Sequence, residues 1–412
     1  MSFRLRFLTY PLARFCAIAT AIAIAGCTQP APPPPPRVAP PPPPPVAGNP
    51  LDHDQPSYLR LPGMAPDQVP VRVGVILPFS SASPATRALA ASMLKAAELA
   101  MFDSGNRNIL LMTADDGSGG SAAIKAAQQL LAQGAEVIVG PLFGASVQAV
   151  APIARDRGVP VLAFSTERSV AGHGAYLLSF LPQIEVRRVV SYAAANGHHQ
   201  FAALLPQSPY GDVAGSAFDD AVKTSHGAVV DVEHFGPNAG DVATPSDAVV
   251  KSGADAVLIA QGGVMLRAIA PTLSFHGASR DKVKLLGTGL WADDSSLQRE
   301  ASLEGSWYAA PAPNADEEFV TKYRSAFGTA PAPLASLAYD AVSLVALLSQ
   351  GTPYHRFTEA ALMDPNGFAG VNGIFRFTAD GTSERGLAVM EITSNGPVVV
   401  SPAPTTFQKK NS

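Results

Sequence analysis

The sequence predicts a two-lobed α/β protein in which each lobe is a mainly parallel sheet flanked by helices, carried behind a proline-rich N-terminal arm. Three observations predict it. Short apolar runs alternate with Ala/Leu-rich stretches from Val71 onward, the alternation continues to about residue 400, and the last segments depart from it as if the chain crossed back between lobes. Alternation of this kind marks βα units around a parallel sheet. A body of this length is too large for one core, so two lobes are expected.

The chain opens with Arg4, Arg6 and Arg14 ahead of an uncharged apolar stretch from Phe15 to Ala25, the layout of an export signal. A permanent membrane helix needs ~20 such residues. This stretch is shorter and runs into Ile24-Ala25-Gly26-Cys27, which resembles the bacterial lipobox. The resemblance implies that residues 1–26 are a signal peptide and that Cys27 is lipidated and begins the mature chain. Thr28 stands where an aspartate would, by resemblance to enterobacterial lipoproteins, favour the inner membrane, so a lipid-anchored place on the periplasmic side of the outer membrane is expected. Cys16 leaves with the leader, and the body then holds no thiol for a disulfide, zinc site or nucleophile. Loss of the three leader arginines takes the formal charge from −4 to −7, with no long basic run, and nucleic acid is not an expected partner.

Residues 27–69 form the arm. Thirteen of the 38 prolines fall between Pro30 and Pro50, in tracts at Pro32–Pro36 and Pro40–Pro45. Consecutive prolines lack amide donors and favour polyproline II at ~3.1 Å per residue, so a semi-rigid spacer of up to ~130 Å is expected.

In the body, Val71–Leu77 reads as a strand and Leu89, Met93, Ala96 and Ala100 as one helix face. Asn108–Thr113 is strand, Ser121–Gln133 helix stopped by Gly134, and Glu136–Val139 strand. Ser146–Arg157 is helix, and Val159–Phe164 strand after Gly158. After Pro182 a second series has helices at Glu185–Ala195 and Val213–Thr224 and strands at Phe201–Leu205, Ala228–His234, Ala256–Ala260 and Val283–Leu286. Past Trp307, Asn314 and Glu317 are placed as a capping box before Phe319, Tyr323 and Phe327. Leu334, Leu337, Ala341, Leu344 and Leu348 give another helix, and Gly373–Phe377 and Leu387–Ile392 are strands. The domain is set at 70–400, with lobe one at about 70–182 and 310–352, lobe two at about 183–309 and 353–400, and a tail at 401–412.

Five carriers give these patterns a family. Val73-Gly74-Val75-Ile76-Leu77-Pro78, Asp115-Asp116, and Gly134-Ala135-Glu136-Val137-Ile138-Val139-Gly140-Pro141 come first. Gly158-Val159-Pro160-Val161 and Tyr210-Gly211 follow in the same order and spacing. Over roughly 70–400 the chain resembles a type I periplasmic-binding domain of the leucine/isoleucine/valine-binding class. Leu205-Pro206-Gln207-Ser208-Pro209-Tyr210-Gly211-Asp212, Gly370-Val371-Asn372-Gly373-Ile374-Phe375-Arg376-Phe377 and the lipobox make it similar to the penicillin-binding protein activator lipoproteins. That resemblance implies a non-enzymatic regulator of peptidoglycan synthesis that meets a penicillin-binding protein or peptidoglycan. The enterobacterial activators carry a helical-repeat domain where this chain has the proline arm. The alternative is the substrate-binding protein of an amino-acid or amide ABC importer, with a small polar ligand and a permease as partners.

In open parallel sheets the ligand crevice lies beyond the carboxyl ends of the strands. The candidates are Phe79, Ser80, Ser81, Gly144, Ala145, Ser146, Ser165 and Thr166 in lobe one, and Tyr210, Gln261 and Trp291 in lobe two. Hydroxyls and helix-start amides there suit a carboxylate, and the same residues serve equally as caps and turns. In amino-acid binders of the resembled class, the serine for the ligand carboxylate falls on Gly144 and the acidic residue for its ammonium falls near Gly289, so both side chains are absent here.

Four catalytic-looking motifs have plainer readings. Gly117-Ser118-Gly119-Gly120-Ser121-Ala122 matches a dinucleotide fingerprint but follows the second strand. Ser92-Met93-Leu94-Lys95 lacks the K-T-G and S-D-N elements of penicillin-recognising enzymes. His198-His199 are sequence neighbours without metal spacing. Asp115-Asp116 at a strand-to-helix turn reads as capping. No catalytic set, metal or cofactor is expected.

Overall fold

The structure is a computed structural model that describes residues 58–60, 70–292, 294–353 and 355–408. The leader, Cys27 and the proline tracts lie outside the described residues.

The first sheet comprises β1 (Tyr58–Arg60), β2 (Val71–Leu77), β3 (Ile109–Asp115), β4 (Val137–Val139), β5 (Val161–Ala163) and β6 (Ala175–Leu177) in the order β1-β3-β2-β4-β5-β6. Strands β2 to β6 run parallel. Helices α1 (Pro84–Asp103), α2 (Gly120–Ala132) and α3 (Gly144–Arg155) connect them. Both faces of β2 are covered, which is why it reads as a near-continuous apolar run. Gly74 lets α2 approach closely, since a β-carbon there would stand 2.8 Å from Leu130 Cδ1.

The chain then enters lobe two through α4 (Pro182–Ala195), β7 (Gln200–Pro206), α5 (Pro209–Thr224), β8 (Ala228–Phe235), α6 (Ala243–Lys251), β9 (Ala256–Ile259), α7 (Gly263–Phe275), β10 (Lys284–Gly287) and β11 (Trp307–Ala310). Residues of β7 and β9 alternate between two cores. Ala202, Leu204, Val257 and Ile259 pack on one side with Leu266, and Phe201, Ala203, Leu205, Ala256 and Leu258 on the other with Phe218. The strands are thus buried on both faces, as parallel sheets require.

The next elements are α8 (Glu317–Phe327), α9 (Ala335–Leu348), α10 (Glu359–Leu362), and a three-stranded antiparallel sheet of β12 (Phe368–Gly370), β13 (Gly373–Phe377) and β14 (Ser383–Arg385). Strands β15 (Ala388–Thr393) and β16 (Gly396–Ser401) finish the second sheet in the order β16-β15-β11-β10-β9-β7-β8. Three crossings, near 178–182, 311–316 and 386–387, therefore join the lobes.

Three sequence expectations need correction. Residues 353–400 do not all belong to lobe two: Phe357, Leu362, Phe368, Phe375 and Phe377 sit in the first-lobe core with Val75 and Tyr323, and only β15 and β16 return to the second sheet. The arm is not spacer throughout, because Tyr58–Arg60 pairs antiparallel with β3 and supplies partners for an otherwise open sheet edge. The proposed Asn314/Glu317 capping box is absent. Asn314 takes a left-handed conformation (φ 61°) and its carbonyl accepts from Glu317 N, while Asp316 stands at the cap position. The tail is also engaged: Ala403 packs against the second-lobe core and the Arg376 guanidinium lies 4.6 Å over the Phe407 ring.

Candidate functional site

The parallel strands deliver two sets of loops at their carboxyl ends. In lobe one, Asp115 Oδ1 accepts from Ser80 N at 3.2 Å and Gly117 N at 2.9 Å, which binds the loop after β2 to the loop after β3. Burial pushes the Asp115 carboxyl up, and hydrogen bonds from Ser80, Gly117 and Phe79 outweigh it to leave the pKa below its ordinary value. Its neighbour Asp116 is fully buried, and burial raises its pKa against the nearby Ser146 hydroxyl and the hydrogen bond its Oδ1 accepts from Ser118 N at 3.1 Å.

These bonds sort the lobe-one candidates. Ser81 is buried, its hydroxyl accepting from Ser83 N and its carbonyl from Arg87 Nη1 at 2.6 Å, so it fixes the start of α1. Ser165 is buried and accepts from Glu167 N, and Ser146 is buried beside Asp116. Phe79 is half-buried against the first-lobe core. Ser80, Ala145 and Thr166 are exposed, with Gly144 half-buried at the first position of α3. Phe143, not among the sequence candidates, is an exposed aromatic at the cap of that helix.

In lobe two the Tyr210 hydroxyl lies 2.9 Å from Thr288 Oγ1, with Thr288 itself buried. Trp291 is corrected from rim to core: its ring is buried among second-lobe apolar residues and its Nε1 donates to the Gln261 carbonyl at 2.8 Å. An indole with its N–H satisfied packs better inside than at a wet crevice. Gln261 is half-buried and contributes its carbonyl to that bond.

The two glycines marked by absent side chains are both faced by carboxylates of the chain itself. A β-carbon at Gly144 would collide with the Glu167 carboxylate, which therefore stands at the N-terminus of α3. A β-carbon at Gly289 would lie 2.6 Å from Glu185 Oε1, and Glu185 Oε2 accepts from Gly289 N at 2.9 Å. Burial pushes the Glu185 carboxyl up to about 7, with the Gly289 hydrogen bond opposing it. Tyr210 is raised by burial and then by Glu185 nearby. Sequence reasoning missed both glutamates. Their only signals were an acidic residue two positions after Ser165 and one in the first turn of α4.

The catalytic-looking motifs dissolve into structural contacts. Ser92 is buried and lies 2.9 Å from the Tyr323 hydroxyl while accepting from Ala332 N, and Lys95 sits 5.5 Å over the Phe327 ring. His198 packs edge-on to Trp307 and contacts Asp255, which also accepts from His199 N. Among the described residues no group of three or more His, Cys, Asp or Glu could hold a metal, and no helix is long and apolar enough to cross a membrane.

Comparison with known proteins matches the periplasmic binding protein family model to residues 70–397. Among solved structures, a Rhodospirillum rubrum protein assigned to branched-chain amino acid ABC transport is 19% identical, covers 80% of this chain and 100% of its own, and gives a TM-score of 0.71. A branched-chain amino acid ABC transporter periplasmic ligand-binding protein from Burkholderia xenovorans is 18% identical, with 81% and 96% covered and a TM-score of 0.64. An ABC transporter substrate-binding protein from Desulfitobacterium hafniense in complex with Leu is 21% identical, with 80% and 99% covered and a TM-score of 0.59. No curated protein matches. With two α/β lobes, three crossings and a family match across the whole body, the chain belongs to the periplasmic binding protein family.

Proposed function

We propose that this chain is a non-enzymatic, lipid-anchored envelope protein that regulates peptidoglycan synthesis by docking a penicillin-binding protein from the outer membrane. The observation that carries the reading is that the place a free amino acid's carboxylate would take is filled from within by a like charge. A ligand carboxylate would seek the helix-start amides of α3, where the Glu167 carboxylate already stands. In lobe two, Gly289 N is engaged by Glu185, whose carboxyl burial pushes up to about 7. A zwitterion entering this cleft would meet a like charge at its acidic end. Such a cleft suits a scaffold that presents its lobes to a protein better than a receptor for import.

The proline arm would carry the body from the membrane through the wall layer. The test is glycan polymerisation by purified penicillin-binding proteins with and without the lipidated protein, together with co-purification. A several-fold increase with a stable complex is expected, and an unchanged rate without association contradicts the reading. Cys27→Ala should leave the protein unlipidated and soluble after cell fractionation, and its retention on outer membranes at high salt would exclude the anchor.

A second reading, a solute receptor, is favoured by Tyr210 and Glu185, which keep a polar wall in lobe two. Such a wall suits an amine or amide. A thermal-shift screen against amines and amides that carry no carboxylate tests it, with stabilisation of several degrees as the supporting result.

A further inference from the structure

A cavity of about 370 Å³ opens beside the hinge, with one wall from each lobe. Lobe one contributes Arg168 and the turn from Thr378 to Glu384, and lobe two contributes Leu181 to Arg187 at the start of α4. The lobe-one wall is held firmly. The Gly381 carbonyl accepts from Leu177 N at 2.7 Å on the edge of β6, and Asp380 accepts from Thr378 Oγ1, Thr382 N and Thr382 Oγ1. Across the cavity, Arg187 Nη2 reaches Glu384 Oε1 at 3.2 Å, an ion pair that spans the lobes.

Donor and acceptor capacity on these walls is unequal. Asp380 takes the Arg168 guanidinium at 2.7 Å on top of its turn bonds, and Glu384 takes both Arg187 and Arg376. The carboxylates are therefore satisfied. Among the described residues Arg168 and Arg187 each make one hydrogen bond through a single Nη2, their side chains are 60% and 52% exposed, and a guanidinium has five N–H donors. Gln183 adds a buried Oε1 that accepts nothing among the described residues. Leu181 and Ile184 give an apolar floor.

We propose that this hinge cavity is a second ligand site, separate from the interlobe cleft, which takes the C-terminal carboxylate of a short peptide. Two arginines with free donors match a carboxylate. The Gln183 oxygen takes a peptide N–H, and the apolar floor takes a small side chain. The volume lies at the low end of the ~300–1,000 Å³ usual for small-molecule sites, which fits two or three residues. A bare inorganic anion would leave Gln183 and the floor without partners. Because the walls belong to different lobes, occupancy stabilises the lobe arrangement in which both arginines reach the ligand.

The test is calorimetric titration of the full lipidated chain in detergent with N-acetyl-alanyl-alanine, its C-terminal amide and inorganic phosphate. The acid is expected to bind, and the amide and phosphate to bind at least tenfold more weakly. Arg168→Gln and Arg187→Gln, both at half-exposed positions, should each weaken the acid at least tenfold without loss of fold, and Tyr210→Phe in the cleft should leave it unchanged. The proposal is overturned by no binding of the acid, by equal binding of the amide or phosphate, or by loss in Tyr210→Phe with retention in both arginine variants.

Discussion

Glu185 links the chemistry of the cleft to the stability of the fold. Its carboxyl sits at about 7 in the folded chain against an ordinary 4.5, because burial disfavours the charged form more than the Gly289 hydrogen bond favours it. Between those values the folded chain holds a proton that the unfolded chain has released, so stability is full at low pH and falls as pH rises through about 7. At about 1.4 kcal/mol per unit, the loss is on the order of 3 kcal/mol. Glu185→Gln should flatten that fall, read as urea midpoints across the window, and an unchanged slope would remove Glu185 as its cause. Glu167 gives a second prediction. Glu167→Ala frees the α3 amides, so weak binding of L-leucine should appear in the variant and be absent in the parent. At this scale the sequence displayed where the loops after β2, β4, β5 and β7 begin, because an apolar run followed by Ser, Thr or Gly is a local pattern, but not that Ser81, Ser146 and Ser165 would be buried. The two glutamates were illegible, since each meets its glycine only through tertiary packing, with Glu185 and Gly289 104 positions apart in the chain. Trp291 was misplaced because spacing puts it after β10 but gives no sign of which way the ring turns.

At the scale of elements, buried polar contacts hold the first lobe to its returning segments. Ser92 on α1 joins the Tyr323 hydroxyl on α8 and the Ala332 amide before α9. Ser92→Ala should cost about 1–3 kcal/mol in urea unfolding, because a part-buried N–H and a buried hydroxyl lose their partner. Arg385 sits at the third crossing, packed 4.7 Å over Phe180 and 5.4 Å over Phe375, donating to the Ser179 carbonyl with Asp340 3.6 Å away, both side chains buried. Arg385→Ala leaves Asp340 buried beside no cation and should cost about 3–5 kcal/mol, whereas Arg385→Met combined with Asp340→Leu should recover most of it. Equal losses in the single and double variants would show that packing around the guanidinium, and not the charge, is what matters. Most strands and helices were legible because periodicity and Gly or Pro stops are local. The lobe membership of β12 to β14 was not: Phe375 and Phe377 alternate as in any strand, and only their packing on Tyr176 and the first-lobe core assigns them. Strand β1 was hidden for the same reason, since three residues after a proline arm carry no period and the open edge of β3 decides their pairing.

At the scale of the molecule, the chain crosses three times between two sheets, each with its own core. Arg188 adds a tie across this region, its Nε donating to the Leu387 carbonyl and its Nη2 to Ser401 Oγ, so α4 is bound to the last crossing and to the end of β16. The two-lobed architecture followed from length and alternation alone. What the cleft accepts did not, because that depends on which side chains fill the space left by Gly144 and Gly289. With Glu167 at the start of α3, a free amino acid has no open place for its carboxylate, and the proposed body acts by docking. Calorimetric titration of the purified lipidated chain with L-leucine and the other common amino acids tests it most directly. No binding is expected up to about 1 mM, which corresponds to less than ~4 kcal/mol of affinity. Saturable binding in the micromolar range would contradict it and make the chain a receptor for import.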